Sequence, residues 1–343
     1  MNDYRDRSMP APRLPGSSSD GSLGPHGSEE NDPAGGASRA WQAIVLSWNG
    51  REDTLRCLES LERVEHPLEI VCVDNGSSDG SQEAVRERFP HVTLIEAGAN
   101  LGYAGGNNLG LRRALERGAQ WVVLVNNDAT VAGDVVEGFQ QAAREFPRAG
   151  ILAGKVFFAD RPERIWFAGQ RVSELLGYSG RPRGYGREDG ARYRRAGPTG
   201  RAVGALMAVS RETIEAVGML DEELFAYVED VDWALRARAA GFVVVFAPAA
   251  RAWHAVSAST GGESRSTHTL YYGVRNTIVV LERRRPLGAV GNALRRAAIL
   301  ATFSAHALTR QNRGEALAAV REGFADARRR RLGARATASA AAS

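Results

Sequence analysis

Side chains able to do chemistry gather just after short apolar runs in this chain. Ala43–Leu46 leads into Ser47-Trp48-Asn49-Gly50, Ile70–Val73 into Asp74-Asn75-Gly76-Ser77-Ser78-Asp79-Gly80, and Val122–Val125 into Asn126-Asn127-Asp128. The run 92–95 precedes Asn100-Leu101-Gly102-Tyr103-Ala104-Gly105-Gly106-Asn107-Asn108. Asp74 could accept hydrogen bonds from a base or a ribose, or serve an Asp-Asn-Gly-Ser turn. The glycines around Asn100 allow close backbone approach to a ligand, or simply a pliant loop. Asp128 is a natural hard-cation ligand, or a cap for the helix that follows. Three carboxylates in Glu229-Asp230-Val231-Asp232-Trp233 exceed what helix capping needs, so one could take a proton from a hydroxyl. His254 stands alone, as structural histidines usually do.

Those residues need strands to hold them. We expect strands over 43–46, 70–73, 92–95, 121–125, 151–157, 203–209 and 243–246. A helix capped by Asp53, with Leu55, Leu58 and Leu61 on one stripe, follows the first strand. Further helices are expected over 82–89, 107–117 (stopped by Gly118), 135–146, 212–217 and 231–240. Such alternation specifies an α/β sheet with helices on both faces. Ligands of open α/β sheets bind at the carboxyl ends of strands, where the polar clusters lie. A dehydrogenase would need GxGxxG directly after strand one, and an NTPase a GxxxxGK[ST] loop; neither occurs. A nucleotidyltransferase would carry a basic glycine-rich loop after strand one, also missing. Residues 160–199 read as irregular, and the chain turns helical from about Ser266 to Arg331.

The 343 residues carry a net charge of only +4, and Lys155 is the single lysine beside many arginines. That is a compositional bias, and no nucleic-acid partner is expected. Cys57 and Cys72 form no ligand spacing or disulfide framework, in keeping with a reducing compartment. No signal-peptide core or spanning apolar stretch is visible. Residues 1–39 read as a disordered tail too polar to offset its ordering entropy, 40–265 as the α/β domain and 266–335 as a helical extension. The expected location is the cytoplasm. Arg283 to Arg285, Arg295, Arg296, Arg310, Arg313, Arg321 and Arg328 to Arg331 are either a solvated face or a contact with anionic lipid at the inner face of the plasma membrane.

Together these motifs, with Gly218-Met219-Leu220-Asp221-Glu222 and Tyr271-Tyr272-Gly273-Val274-Arg275-Asn276, resemble the inverting family 2 glycosyltransferases of the GT-A fold, rhamnosyltransferase-like branch. The resemblance spans roughly 41–285. It implies a GT-A Rossmann-like mixed sheet and transfer of a sugar, rhamnose favoured, from a dTDP- or UDP-sugar to a glycan or lipid-linked acceptor in cell-wall polysaccharide synthesis. It implies that Ser47, Asn49 and Asp74 hold the nucleoside and that Asn100, Gly102, Asn107, Asn127 and Asp128 line the donor pocket. Asp230 matches the catalytic base, with Glu229 and Trp233 on the acceptor side. Asp128 and His254 match ligands of Mg²⁺ or Mn²⁺. The chain departs from the family's DxD motif in reading Asn126-Asn127-Asp128, which leaves one carboxylate. A hexose or galactofuranose donor, or a degenerate sugar-nucleotide binder, are the alternatives.

Overall fold

The computed structural model describes residues 40–173, 175–177, 181–255 and 267–336. The tail expected over 1–39 lies outside them. Strands β1 (Trp41–Ser47), β2 (Glu69–Asp74), β3 (Thr93–Glu96) and β4 (Trp121–Asn126) are parallel, in the order β3-β2-β1-β4. The sheet continues through antiparallel β9 (Leu206–Ser210), then β6 (Ala149–Phe158), β10 (Val243–His254) and β5 (Ala129–Val131). Two short strands add to it, β7 (Ile165–Phe167) beside β6 and β8 (Gly197–Pro198) beside β10.

Helices cover both faces, which is why the inner strands read as unbroken apolar runs. Successive strand residues point to opposite faces. Gly106 and Gly110 of α3 (Gly102–Glu116) sit on Leu46 and Ile44, while Thr54 of α1 (Arg51–Glu62) meets Ser47 from the other side. α2 (Ser81–Arg88) joins β2 to β3, and α4 (Val135–Glu145), α5 (Arg211–Val217) and α6 (Glu229–Ala239) pack farther along the sheet. The C-terminal part folds into α7 (Thr267–Arg284), α8 (Gly288–Leu308) and α9 (Arg313–Arg329).

Several expectations are corrected. α3 starts at Gly102 rather than Asn107, so most of the glycine-rich segment is helix. Gly106 and Gly110 leave room for β1, and Gly102 leaves room for Phe225. Asp53 does not cap α1; it lies inside the first turn and pairs with Arg56. Asp128 caps no helix either, because β5 intervenes before α4. β9 begins at Leu206 rather than 203. β10 runs through Pro248 to His254, with a register shift between Ala247 and Arg251 that absorbs the missing N–H.

Chain continuity dictates the shape of the sheet. β5 follows β4 after only Asn127 and Asp128, yet lies four strands away in hydrogen-bonding order. In a flat sheet those strands would be ~19 Å apart, while the link spans at most ~11 Å. The sheet must therefore curl, and the curl lays the far end of β10 over the end of β4. His254 pairs with Ala129, and Ala255 N–H donates to the Asp128 carbonyl at 2.9 Å.

Gly138 marks where α4 crosses the irregular stretch of β10. A Cβ there would fall inside the van der Waals radius of the Ala249 carbonyl carbon and the Ala250 nitrogen, backbone atoms that cannot swing aside. Gly138→Ala gains about 1 kcal/mol of helix propensity but forces the helix off the strand, typically at a cost of about 1–3 kcal/mol. We expect a net loss of stability in urea or thermal denaturation; a variant as stable as the wild type would show that α4 can retreat freely.

Candidate functional site

The carboxyl ends of β1, β2 and β4 share one edge. Ser47 pairs with Asp74 and Leu46 with Asn126, which sets the polar clusters side by side. The loops are then stitched together. Asn49, at φ +48°, accepts Ser78 N–H on its Oδ1 at 2.8 Å and donates its own N–H to Ser77 Oγ at 3.0 Å. Asp79 accepts Arg51 N–H at 3.0 Å. The buried Asp74 carboxylate accepts Ser77 N–H at 3.0 and 3.1 Å and the Gln82 amide at 3.1 Å, so its turn role is realised. Ser47 Oγ and Thr54 Oγ1 are 2.8 Å apart, and Asn127 Nδ2 donates to Thr54 Oγ1 at 3.1 Å.

Asn75 locks the entry of α3. Its amide donates to Asn100 Oδ1 (3.0 Å) and the Gly102 carbonyl (3.2 Å) and accepts Leu101 N–H (2.9 Å). Gly102, at φ +74°, presses against the Phe225 carbonyl, and Ala104 N–H donates to that oxygen at 3.2 Å. Asn107 is buried with its amide turned to the Tyr103 carbonyl (2.9 Å), so it shapes the helix start from inside. Asn108 clasps Leu220 by its N–H (3.1 Å) and its carbonyl (2.9 Å).

Asp128 and His254 meet at the curl. His254 Nε2 lies 2.9 Å from Asp128 Oδ1, both side chains are nearly inaccessible, and Trp166 packs edge-on against the imidazole. Among the described residues His254 Nδ1 has no hydrogen-bond partner, and no group of three or more His, Cys, Asp or Glu converges on a metal-sized space.

The second acidic cluster opens α6. Its three carboxyls have separate fates. Asp232 is wholly buried and lies 2.7 Å from both Arg236 Nε and Arg284 Nε, a structural hub. Asp230 sits 3.1 Å from Arg201 Nη1 and accepts Val231 N–H at 2.7 Å. Glu229 makes no ion pair among the described residues, and its Oε2 has no hydrogen-bond partner among them. Burial, then the neighbouring Asp230 charge, pushes Glu229 up to about 8. Burial also raises Asp230, and the Arg201 guanidinium opposes it. Tyr103 lies half-buried close by, its hydroxyl raised by desolvation and by Glu229 and Asp230.

The expectation that Trp233 faces an acceptor is corrected. It is fully buried, and its indole N–H donates to the Gly218 carbonyl at 2.8 Å. In an amphipathic helix start the fourth residue beyond Glu229 turns into the core. Sequence reasoning also missed Arg201, which carries no spacing signal. It gave no role to Arg275 and Asn276. These buried side chains of α7 grip the loop before Glu229, where Phe225, Tyr227 and Val228 take left-handed φ of +65°, +65° and +74°. Asn276 Nδ2 lies 2.9, 2.8 and 2.8 Å from the carbonyls of Leu224, Ala226 and Tyr227, and Arg275 Nη2 donates to Leu224 at 2.9 Å. Non-glycine residues persist in that conformation only when their surroundings hold them there.

Residues 43–217 match the family described as "Glycosyl transferase family 2". The chain is 31% identical over 257 residues to an N-acetylglucosaminyl-diphospho-decaprenol L-rhamnosyltransferase of Mycobacterium tuberculosis, covering 65% of this chain and 78% of that protein. It is 27% identical over 247 residues to the dTDP-rhamnosyl transferase RfbF of Shigella flexneri, covering 70% and 79% respectively. In structure it is similar to the mannosyltransferase PcManGT from Pyrobaculum calidifontis, solved in complex with GDP-Man and Mn²⁺, with a TM-score of 0.52, 21% identity and coverage of 84% of this chain and 86% of that one. At that identity the likeness establishes the GT-A-like fold.

Glu229 generates a pH prediction. Its folded pKa of about 8 lies above the ordinary 4.5. The folded state therefore holds the proton more tightly, and stability present below the ordinary value is lost as pH rises through the folded one. Glu229→Gln should flatten thermal-denaturation midpoints measured from about pH 5 to pH 9 relative to the wild type. Parallel curves would show that Glu229 titrates normally.

Proposed function

The chain belongs to glycosyl transferase family 2, and from that premise we propose that it moves rhamnose from a dTDP- or UDP-linked donor to a hydroxyl of a lipid-linked glycan in cell-surface polysaccharide synthesis. The two relatives described above are named for rhamnosyl transfer, one of them an N-acetylglucosaminyl-diphospho-decaprenol L-rhamnosyltransferase. The observation that carries the reaction chemistry is the split in the buried acid pair. Arg201 pairs directly with Asp230 at 3.1 Å, while burial and the Asp230 charge push Glu229 up to about 8, so the pair favours the proton on Glu229 and the charge on Asp230.

Asp230 is the general base of this reading. It takes the acceptor hydroxyl's proton as that oxygen bonds to the anomeric carbon. The bond from that carbon to the diphosphate oxygen breaks with its electron pair, and the configuration inverts. Arg201 keeps Asp230 ionised until the proton arrives. Ser47, Asn49 and Asp74 border the nucleoside, while Asn100, Gly102, Asn127 and Asp128 form the donor wall, which Asn107 supports from within. Asp128 and His254 fit one divalent cation, Mg²⁺ or Mn²⁺, as an adjacent carboxylate and imidazole whose remaining positions phosphate oxygens and water would fill. Such a cation would offset the charge on the leaving diphosphate.

The lipid-linked acceptor agrees with the outer face of α8. Val290, Ala293, Leu294, Ala297, Ala301, Ala305 and Leu308 are all exposed at helical spacing, Val290 and Leu294 by 75% and 68%. Among the described residues no helix is long and apolar enough to cross a membrane. An exposed apolar stripe near arginines suits peripheral docking on anionic lipid. The basic residues contribute less than their number suggests. Arg283, Arg284, Arg296 and Arg330 pair with Asp221, Asp232 and Glu282, and Arg295 is buried.

Two measurements test this. Purified chain with Mg²⁺ or Mn²⁺ should release nucleoside diphosphate from dTDP-rhamnose in an EDTA-sensitive way, and Asp230→Asn should lower turnover about 10²–10⁴-fold while donor affinity persists. Near-wild-type turnover in that variant would remove Asp230 from the role, and indifference to EDTA would remove the metal. In flotation with phosphatidylglycerol vesicles, Val290→Glu/Leu294→Glu should recover far less protein than the wild type; equal recovery, or none for either, overturns the docking face.

A further inference from the structure

Described residues on either side of β8 and β7 line a second polar site. A cavity of about 610 Å³ lies over Phe246, lined by Gln170, Thr199 and five arginines, among them Arg181, Arg183, Arg192 and Arg195. All five are exposed, so solvent screens their mutual repulsion and the cluster stays open to an anion from solution. The nearby carboxylates are drawn elsewhere: Asp189 to Lys155 at 2.9 Å, Glu188 to Arg164 at 3.3 Å. None of the five arginines has a carboxylate partner among the described residues. Three of their guanidiniums lie on aromatic plates. Arg183 sits 5.3 Å from the ring centre of Phe246, Arg192 4.6 Å from Tyr193 and Arg181 5.3 Å from Tyr185. Stacking fixes each planar fork in advance, so less ordering entropy is lost when it closes on a ligand.

We infer that this cavity binds a phosphate or diphosphate ester, the anionic group of the acceptor. Planar forks match phosphate oxygens two at a time, and five positive charges exceed what one neutral sugar requires. Position supports the same ligand. Gln170 in the cavity wall accepts Arg201 Nε at 3.0 Å, and Arg201 in turn holds Asp230, so the anion site and the base are separated by one side chain. This rests on the glycosyltransferase reading above and adds to it the group that anchors the acceptor.

Pyrophosphate is titrated calorimetrically into the full chain held in EDTA, which withholds the cation that a diphosphate in the donor site would need. One site is expected. Arg192→Glu/Arg195→Glu should weaken it about tenfold or more, since two charge-assisted contacts become repulsive. Arg192→Lys/Arg195→Lys should weaken it less, because an ammonium keeps the charge and loses the fork. No pyrophosphate binding by the wild type, or equal affinity in the Glu variant, overturns the site. A kinetic arm identifies the source: KM for a diphosphate-linked sugar acceptor should rise in the Glu variant. Unchanged KM with reduced recovery on phosphatidylglycerol vesicles would make the anion a lipid headgroup and overturn the acceptor assignment. dTDP affinity, measured separately, reports on the donor reading; its absence in the wild type would sink that reading while leaving the pyrophosphate result to stand or fall alone.

Discussion

Two residues between β4 and β5 constrain more of this molecule than any other link. Because the chain passes from the middle of the sheet to its far edge within Asn127 and Asp128, the sheet has to curl. The curl places Asp128 against His254, which lie more than a hundred residues apart in sequence. It also forces the close passage of α4 over β10 at Gly138. The register shift near Pro248 belongs to the same geometry, since a strand bent that far cannot keep one regular ladder.

The second constraint is local and strained. A helix that starts directly on Glu229-Asp230 presents both carboxyls to its own free N–H groups. Reaching that start costs three left-handed non-glycine residues at Phe225, Tyr227 and Val228. Asn276 and Arg275 offset this with donors aimed at the carbonyls of the loop, and Ala104 fixes the Phe225 carbonyl from α3. The start of α3 and the acid pair are thus held against one another by a single loop.

The strands were legible because doubly covered strands leave unbroken apolar runs, and their polar ends announce the edge where a ligand binds. Asp128, Asp230 and His254 were singled out through the order of several weak motifs taken together, and the fold brings Asp128 against His254. What escaped did so for physical reasons. Gly102 to Gly110 include turn-forming residues whose smallness serves packing, Gly106 on Leu46, Gly110 on Ile44 and Gly102 on Phe225, and local propensity does not distinguish the two uses. Trp233 falls in an acidic stretch yet points to the core, a fact set by helix phase. Arg201 reaches Asp230 across 29 residues that include β9 and α5, and no periodicity encodes such a contact. The arginines around Phe246 are scattered through 171–195 and converge only because β7 and β8 fold that segment over the sheet.

Arg275 does one thing more. Besides Leu224, it donates to the Gly333 carbonyl at 2.8 Å, and Gly333 N–H returns to Glu223 at 2.7 Å. The end of the helical extension is therefore sewn to the rim of the acid pair. A chimera that exchanged residues 266–335 for the corresponding stretch of another transferase would import foreign anchors for a loop whose backbone cannot relax alone. Recombination, in the laboratory or in a genome, has to carry the two parts as one heritable block.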